Sequence, residues 1–318
     1  MSRAALILLL VGCSSEELVD VLGEAPEGAL LAVWGPSADD VWIVGGQPEA
    51  GVVLRGSGEA FESMALPDDT PMLNWVHGTG ANDVWVGGLS GTVLHWDGSA
   101  WTDLSVDMDE AIWGLYANDD DDVWFVGGTS RWGGDAGRVF HYTGDVLQAV
   151  DLPPELSDST NVFKVHADGD RMWFVGAGGI AAYSEGGTLT AAATGFGDDL
   201  VTAHRGDSEH LMVVGGRGTG RVFEADGDRL TEVASTPAGL NGVISLDART
   251  LVAGENGFMA FVDRSDGMVT PIETPTLNIL HAVWVAPDDT LYAVGGNLGT
   301  ADPFFHGTLI SGPLTELP

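Results

Sequence analysis

One glycine-rich stretch of the sequence places an aromatic and a cationic side chain together. Residues 129–137 read T-S-R-W-G-G-D-A-G, so Arg131 and Trp132 are adjacent. An aromatic plane beside a guanidinium can stack on a ligand and form bidentate hydrogen bonds, as hot-spot residues do. A second glycine-rich turn is flanked by Arg217 and Arg221. We expect ligand binding to centre on Arg131 and Trp132, with Arg217 or Arg221 contributing.

Residues typical of catalytic centres form no recognisable arrangement. Neither G-x-S-x-G nor H-E-x-x-H occurs, and no nucleophile stands beside an evident base. The run G-G-R-G-T-G at 215–220 lacks the spacing of a phosphate-binding loop and opens no helix. An acid–base pair stays open as an alternative, since some of the 47 carboxylates must face one another across a groove. The sequence nevertheless favours binding over catalysis.

Two groups of side chains have the chemistry of metal ligands. The run from Asn118 to Asp122 could hold Ca²⁺ through carboxylate oxygens, but it lacks the D-x-[DN]-x-[DN]-G-x₅-E pattern. We favour turn-forming aspartates without an ion, because Asp supports turns by bonding its own backbone. His77, His166 and His204 recur at equivalent places in different repeats, whereas a metal needs ligands converging within about 2 Å of it. We therefore predict that these histidines are packing residues and that no cofactor is bound.

A repeat supplies the elements that position these residues. D-D-V-W-F-V-G-G (121–128) recurs as D-D-V-W-I-V-G-G (39–46), as N-D-V-W-V-G-G (82–88) and in weaker copies. The anchor residues of the seven copies are Trp42, Trp85, Trp124, Trp173, Met212, Val252 and Tyr292. Their spacings of 43, 39, 49, 39, 40 and 40 residues, with short β runs in each copy, indicate a propeller.

The predicted fold is all-β: a seven-bladed β-propeller at residues 29–318, with four antiparallel strands per blade. Blade 2 shows the unit, with strands at 74–77, 84–87, 92–96 and 100–104 and a D-G hairpin signal before the last. We expect the periodic tryptophans to form the core between blades, because burying one contributes roughly 4–6 kcal/mol gross.

The two faces of such a propeller differ in character. Turns after the first and third strands share one face, which the Asp-rich turns make densely acidic. The other face carries the variable loops 129–137, 151–161 and 296–303. Trp132, alone among 11 tryptophans, falls outside the strand pattern and lies on this second face. The alternative to a binding role is that its loop folds down and plugs the channel mouth.

The charge of the chain limits its partners. With 47 acidic and 12 basic residues the formal net charge is −35, and Lys164 is the only lysine. Such a surface repels nucleic acid and anionic lipid, since phosphate binding needs clustered Lys and Arg. We expect a monomer that binds a protein or glycan and no nucleic acid.

The N-terminus carries a short motif around the single cysteine. Arg3 precedes an apolar run, 4–11, that is too short to span a bilayer, and L-V-G-C follows at 10–13. This resembles the lipobox of bacterial lipoproteins, which implies a signal peptide at 1–12, a lipidated Cys13 and an acidic tether over 13–28. By the same resemblance, Ser14 after the cysteine favours the outer membrane of the cell envelope. The alternative is an ordinary signal peptide or a misassigned start, with a buried cysteine.

Residues 18–22, L-V-D-V-L, interrupt the tether. They are similar to the outer strands of later repeats, such as L-T-E-V-A at 230–234. We expect that this segment could pair with the last blade and help to close the ring.

H-W-D-G-S-A-W at 95–101, following D-V-W-V-G-G at 83–88, resembles the repeat of secreted BNR-like and photosystem II assembly factor-like propellers. The resemblance implies a lipid-anchored, non-catalytic module that binds a protein or glycan. The alternatives are a secreted carbohydrate-active hydrolase or lyase on the same scaffold and a purely structural envelope component. The arginine triad and tyrosine nucleophile of sialidases in that superfamily cannot be placed here, which favours a binding role.

Overall fold

The computed structural model describes residues 18–22, 27–58, 60–129, 137–153, 161–185, 187–206, 209–297 and 306–318. These residues form seven four-stranded antiparallel sheets. Each innermost strand contacts the innermost strand of the next sheet, and the first contacts the last, so the sheets close into a ring. The predicted seven-bladed β-propeller with four antiparallel strands per blade is confirmed.

The strands follow one another outward from the axis in blades 1 to 6. Blade 1 contains β2 (Ala29–Ser37), β3 (Asp40–Gln47), β4 (Ala50–Ser57) and β5 (Ala60–Ser63). Blade 2 contains β6 (Leu73–Gly80), β7 (Asp83–Gly88), β8 (Val93–Trp96) and β9 (Trp101–Asp103). Blade 3 contains β10 (Ala111–Asp119), β11 (Asp122–Gly128), β12 (Arg138–Tyr142) and β13 (Leu147–Ala149). Blade 4 contains β14 (Val162–Asp168), β15 (Arg171–Gly176), β16 (Ala181–Glu185) and β17 (Thr188–Ala191).

The remaining blades complete the ring. Blade 5 contains β18 (Leu200–His204), β19 (Met212–Gly215), β20 (Gly220–Asp226) and β21 (Arg229–Thr236). Blade 6 contains β22 (Leu240–Ser245), β23 (Arg249–Gly254), β24 (Met259–Asp263) and β25 (Val269–Ile272). Blade 7 contains β26 (Leu280–Val285), β27 (Thr290–Gly295), β28 (Thr308–Pro313) and, outermost, β1 (Val19–Asp20).

Blade 7 joins the two ends of the chain. Strand β1 pairs antiparallel with β28, with Val19 opposite Ser311 and Asp20 opposite Ile310. The neighbouring Leu18 is buried in the core between blades 6 and 7. Residues 18–22 therefore supply the outermost strand of the last blade, and this pairing covers the edge of β28 that would otherwise be open.

The anchor positions form the core between blades, as predicted. Trp42, Trp85, Trp173 and Tyr292 are at most 2% exposed, and Trp124 is 9% exposed. The anchor assigned to blade 6 is wrong by one residue. There Leu251 lies opposite Ile244, as Met212 lies opposite His204 in blade 5. R-T-L-V-A-G offers two consecutive apolar residues, and both the pairing with β22 and the glycine three residues after every anchor, here Gly254, identify Leu251.

Charged pairs brace the anchors in the first three blades. In blade 2, Asp83 accepts hydrogen bonds from the Trp85 indole (2.8 Å) and contacts Nε2 of His95 (2.8 Å), whose ring stacks on Trp85 at 4.0 Å between centroids. In blade 3, Nε2 of His141 contacts Asp122 and the His141 ring stacks on Trp124. In blade 1, Arg55 donates to Asp40 and lies over Trp42, but the Trp42 indole N–H has no hydrogen-bond partner. Burial opposes the charge of Asp83, but the hydrogen bonds from His95, Thr79 and Trp85 outweigh it and lower the pKa of this carboxyl.

Helix is nearly absent from the described residues. Three 3₁₀ turns occur there, at Ala177–Gly179, Glu255–Gly257 and Leu314–Glu316. In that part of the chain we find no helix with the length and apolar character needed to cross a bilayer.

Candidate binding site at the channel mouth

A β-bulge interrupts every innermost strand near its start. The pairing with the second strand skips one residue in each blade. The skipped residues are Leu31, Asn74, Trp113, Phe163, Val201, Asn241 and His281. All seven line a single cavity of about 450 Å³ at one end of the axial channel. Because a bulge re-aims a side chain away from the alternating pattern of its strand, the seven bulges build this channel mouth.

Aromatic side chains form one wall of the channel mouth. Trp113 and Phe163 come from adjacent blades and meet edge to face, with 6.4 Å between ring centroids. The Trp113 indole N–H donates to Oδ1 of Asn161 (3.0 Å), which fixes the orientation of the ring. Both rings are partly exposed, so they offer a ligand an ordered apolar surface.

The asparagine of blade 2 brings an unpaired acceptor to the same cavity. Asn74 is 5% exposed, and its Nδ2 donates to the carbonyl of Ile112 at 2.9 Å. Its Oδ1 is buried without a hydrogen-bond partner. A buried acceptor in this state costs about 1–3 kcal/mol.

Arg217 lies at the rim of the mouth, in the turn between β19 and β20. Gly216 and Gly218 on either side have φ of +87° and +69°, which favour glycine. The turn is held by Asp198, which accepts from the Arg217 backbone N–H (3.1 Å), and by Glu255, which accepts from that of Gly218 (2.9 Å). The guanidinium donates to Oδ1 of Asn241 at 3.3 Å and lies 3.5 Å from Oδ2 of Asp199. It is half-exposed, so a ligand at the rim can reach it alongside Asp199.

The residue after each bulge, where pairing with the second strand resumes, belongs to a second ring of residues, here called the waist. The waist residues are Ala32, Trp75, Gly114, Lys164, Thr202, Gly242 and Ala282. Lys164 and Trp75 come from blades 4 and 2 and meet over Gly114, with Nζ 3.1 Å from the indole centroid. A Cβ on Gly114 would lie 3.1 Å from Cδ of Lys164 and 2.6 Å from a backbone oxygen, so the contact depends on that glycine.

Lys164 is buried at this waist without a carboxylate. It is 6% exposed, and its Nζ donates to the carbonyl of Trp113 at 3.3 Å. No acidic side chain in the described part of the chain forms an ion pair with it. Burial lowers the pKa of the Lys164 ammonium well below its usual value.

An aromatic belt surrounds the channel beyond the waist. Its members, which enclose about 480 Å³, are Trp34, His77, Tyr116, His166, His204 and Trp284. Successive rings from Trp34 to His204 are 4.5–5.4 Å apart. His77 accepts the Ala117 N–H, and His204 accepts the Ser245 N–H. These contacts are those of packing residues.

Burial in the belt disfavours the charged imidazolium. It lowers the pKa of His77 to about 3, with the nearby His166 lowering it further. Burial also lowers the pKa of His166 to about 4 and that of His204 well below its usual value. Across the described ranges no cluster of three or more His, Cys, Asp or Glu has the arrangement of a metal site.

The structure separates the two arginines predicted to contribute to binding. Arg217 lines the channel mouth. Arg221 lies on β20, where its Nε is 3.3 Å from Glu232 on the outermost strand, and it does not line this cavity. Arg131, Trp132 and Cys13 lie outside the described residues.

The acidic turn at 118–122 is bonded to itself. Asn118 donates to Oδ2 of Asp122 at 2.9 Å, and the backbone N–H of Asp121 donates to Oδ1 of Asp119 at 3.0 Å. Such bonds within the turn are typical of Asp in tight turns.

Sequence reasoning missed the ring of bulged residues and Lys164. A positional signal existed, because each bulged residue stands ten or eleven residues before the anchor of its blade. The residue types at this position are Leu, Asn, Trp, Phe, Val, Asn and His, so no composition rule singles them out. Trp113 and Phe163 look like ordinary strand residues until the bulge places them at the channel mouth.

Comparisons with known proteins identify the fold. No protein-family model matches this chain, and no curated protein does either. Among solved structures, U3-55K is similar at a TM-score of 0.71 and 11% identity, over 94% of this chain and 98% of that one. YCF48 bound to D1 peptide is similar at a TM-score of 0.69 and 13% identity, over 94% of this chain and 97% of that one. A streptogramin B lyase is similar at a TM-score of 0.68 and 13% identity, over 93% of this chain and 98% of that one. At these identities the likeness shows the propeller fold alone.

Proposed function

We propose that this protein is a non-catalytic binding module of the cell envelope and that it holds a segment of a partner protein at its channel mouth. The observation that carries the proposal is the ring of seven bulges. Bulges re-aim side chains and are over-represented next to functional sites, and here they turn seven different side chains into one cavity. Support also comes from similar propellers that bind proteins, such as YCF48 with its D1 peptide.

The channel mouth has the composition of a binding pocket. A cavity of about 450 Å³ accommodates one or two side chains of a partner. Trp113 and Phe163 can cover an apolar side chain, Asn74 can accept a backbone N–H, and Arg217 can bind an acidic or carbonyl group at the rim. The Arg131–Trp132 loop belongs to the same face in the repeat pattern, so we propose that it extends this surface.

The first test is a binding experiment with the channel mouth altered. A random peptide library and a glycan array are presented to the full chain, and the selected ligand is titrated against variants by calorimetry. Trp113→Ala will weaken binding by about 2 kcal/mol, as expected for a hot-spot aromatic. Arg217→Ala will weaken it by less, because this guanidinium is half-exposed.

Matched variants separate the surfaces. Arg221→Ala removes a similar guanidinium outside the cavity and should leave affinity unchanged, whereas Trp132→Ala measures the share of the loop. Unchanged affinity in Trp113→Ala, together with loss of binding on neutralising Asp119 to Asp122, would assign the function to the acidic face. Selection of a single sugar class would replace the protein ligand with a glycan, and turnover of that sugar would point to a carbohydrate-active enzyme.

We also propose that Cys13 anchors the protein to the outer membrane. The support is the L-V-G-C motif after a short apolar run, followed by Ser14. Mass spectrometry of the native protein should find the mature N-terminus at Cys13 with acyl chains attached, and Cys13→Ser should move the protein from the membrane to the soluble fraction. A native N-terminus elsewhere, or a Cys13→Ser variant that remains in the membrane, would contradict the anchor.

A further inference from the structure

Lys164 has unused hydrogen-bonding capacity on the cavity side of the waist. An ammonium has three donors. The carbonyl of Trp113 takes one at 3.3 Å, and the ring of Trp75 lies against the amine at 3.1 Å from its centroid. Because Lys164 also lines the channel mouth, its Nζ can be approached by a ligand that enters the cavity.

A buried lysine without a counter-ion is an unusual arrangement, because burial favours the neutral amine over the ammonium. Moving an ammonium from water into a protein interior costs several kcal/mol unless an anion compensates it. Lys164 is the only lysine in a sequence that carries 47 acidic residues. No acidic residue in the described part of the chain pairs with it. The cation–π contact with Trp75 compensates only part of this cost. A ligand anion would supply the missing charge.

The other lining residues define what such a ligand carries besides its charge. Trp113 and Phe163 form an apolar wall, and the polar groups nearby are mostly donors or engaged. The Glu255 carboxylate already accepts two backbone N–H groups, from Gly218 and Gly239. Arg217 stands at the rim as a second cation. The cavity therefore combines an aromatic wall with a buried amine at its floor, which a bound anion would favour in its charged form, and a guanidinium at its rim.

We infer that the channel mouth binds a carboxylate joined to an apolar or aromatic group and that Lys164 is the cation that pairs with this carboxylate. The inference rests on the proposed binding function and names the chemistry of its ligand. Two sources offer this chemistry: a free small acid, and an apolar residue of a partner polypeptide that bears a carboxylate.

Binding of this kind is coupled to a proton. Burial lowers the pKa of Lys164 in the free protein, and a carboxylate within about 4 Å raises it again. Ligand binding will therefore take up protons in the pH range where the free amine is neutral, and affinity will fall as pH rises through that range. The other titratable groups of the cavity are Arg217, Glu255 and His281, and burial lowers the pKa of His281 to about 4. His281 is thus neutral throughout the range from pH 6 to 9.

A matched pair of probes tests the carboxylate. Phenylacetate and phenylacetamide have the same ring and nearly the same size, and only the first is charged. Calorimetry with the full chain at pH 7 should show phenylacetate binding at least ten-fold more tightly than the amide. Lys164→Met should remove at least ten-fold of the phenylacetate affinity and leave the amide unchanged. Lys164→Gln serves as a second neutral variant, and thermal melting shows that each variant is folded.

Proton linkage provides a readout that a merely structural lysine would not change. Titration at several pH values between 7 and 10, in buffers of different ionisation enthalpy, should reveal proton uptake with phenylacetate where the free amine is neutral, and this uptake should vanish in Lys164→Met. Equal affinity for acid and amide, no binding of either, or an unchanged preference in both folded Lys164 variants would overturn the inference.

The source of the carboxylate is distinguished by N-acetyl-Gly-Gly-Phe and its C-terminal amide. Tighter binding of this tripeptide acid than of phenylacetate indicates a polypeptide end, and the reverse indicates a free acid. Failure of all acid probes, while a library-selected peptide still depends on Trp113, would remove the carboxylate and keep the proposed function. Binding of phenylacetate as expected, with no polypeptide ligand selected, would keep Lys164 as the counter-ion and remove the proposed protein-binding function.

Discussion

Replacing Trp85 with alanine will lower the free energy of unfolding by about 3–5 kcal/mol, the usual cost of truncating a buried Trp. The side chain is fully buried between blades 2 and 3. Its ring stacks on His95 at 4.0 Å and meets the edge of Phe125 at 5.7 Å. The truncation leaves a cavity at the interface of two blades that the closed ring prevents from collapsing. Urea unfolding of the full chain measures the loss.

Two companion variants identify the cause of the effect. Trp85→Phe keeps an aromatic ring between His95 and Phe125 but loses the 2.8 Å hydrogen bond to Asp83, so it should cost less than the alanine variant. Trp113→Ala removes an equally large ring from the channel mouth and should cost little stability while weakening ligand binding. A Trp85→Ala protein as stable as the parent would show that the anchors do not carry the core between blades.

The sequence was sufficient to predict the fold because propeller blades repeat the same burial. Each anchor fills an equivalent space between neighbouring blades, so similar apolar residues recur at equivalent positions of the seven repeats. The pattern weakens where packing is met by smaller residues, as in blade 6, where two apolar residues are adjacent. A glycine follows every anchor by three residues, so Gly254 selects Leu251 over Val252, and the pairing of β22 with β23 agrees.

Most of the candidate binding site could not be predicted from the sequence, because its residues do not repeat. Side chains at the channel mouth need not resemble one another, because each is placed there by a backbone bulge and not by its residue type. Asn74 and Trp113 occupy the same position in their blades, but one side chain is a polar amide and the other is a large aromatic ring. Lys164 could be noticed as the only lysine, but its meeting with Trp75 over Gly114 depends on the curvature that brings blades 2 and 4 across the channel.

The polar pairs beside the anchors could be predicted from the sequence only in part. Asp83 stands two residues before Trp85, so both point to the same side of β7, and His95 lies directly opposite Trp85 on β8. The D-x-W part was evident from the sequence. The partner on the third strand varies between His and Arg and stands at a variable distance along the chain, so it could be assigned only after the strands were paired.

Replacing His166 with phenylalanine will make the protein less sensitive to acid. In the folded chain burial lowers the pKa of His166 to about 4, whereas an unfolded chain titrates near 6.5. Between these values the unfolded state binds a proton that the folded state does not, so stability falls as pH falls. The parent should lose about 3 kcal/mol through this residue between pH 7 and pH 4, at 1.36 kcal/mol per pKa unit. His166→Phe should therefore lose about 3 kcal/mol less of its free energy of unfolding than the parent does, as measured by urea unfolding at pH 7 and at pH 4.

Comparison of variants isolates this histidine from the other groups that titrate with it. His77, His204, Arg205 and Tyr116 face His166, and the acidic side chains titrate in the same pH range, but all of them remain in both proteins. His166→Gln also removes the titrating ring and replaces it with a side chain of different shape. If titration is the cause, both variants will flatten the pH dependence; if packing against Tyr116 is the cause, their effects will differ from each other and stay constant with pH. Equal losses of stability between pH 7 and pH 4 in the parent and both variants would show that His166 is protonated as readily in the folded belt as in the unfolded chain.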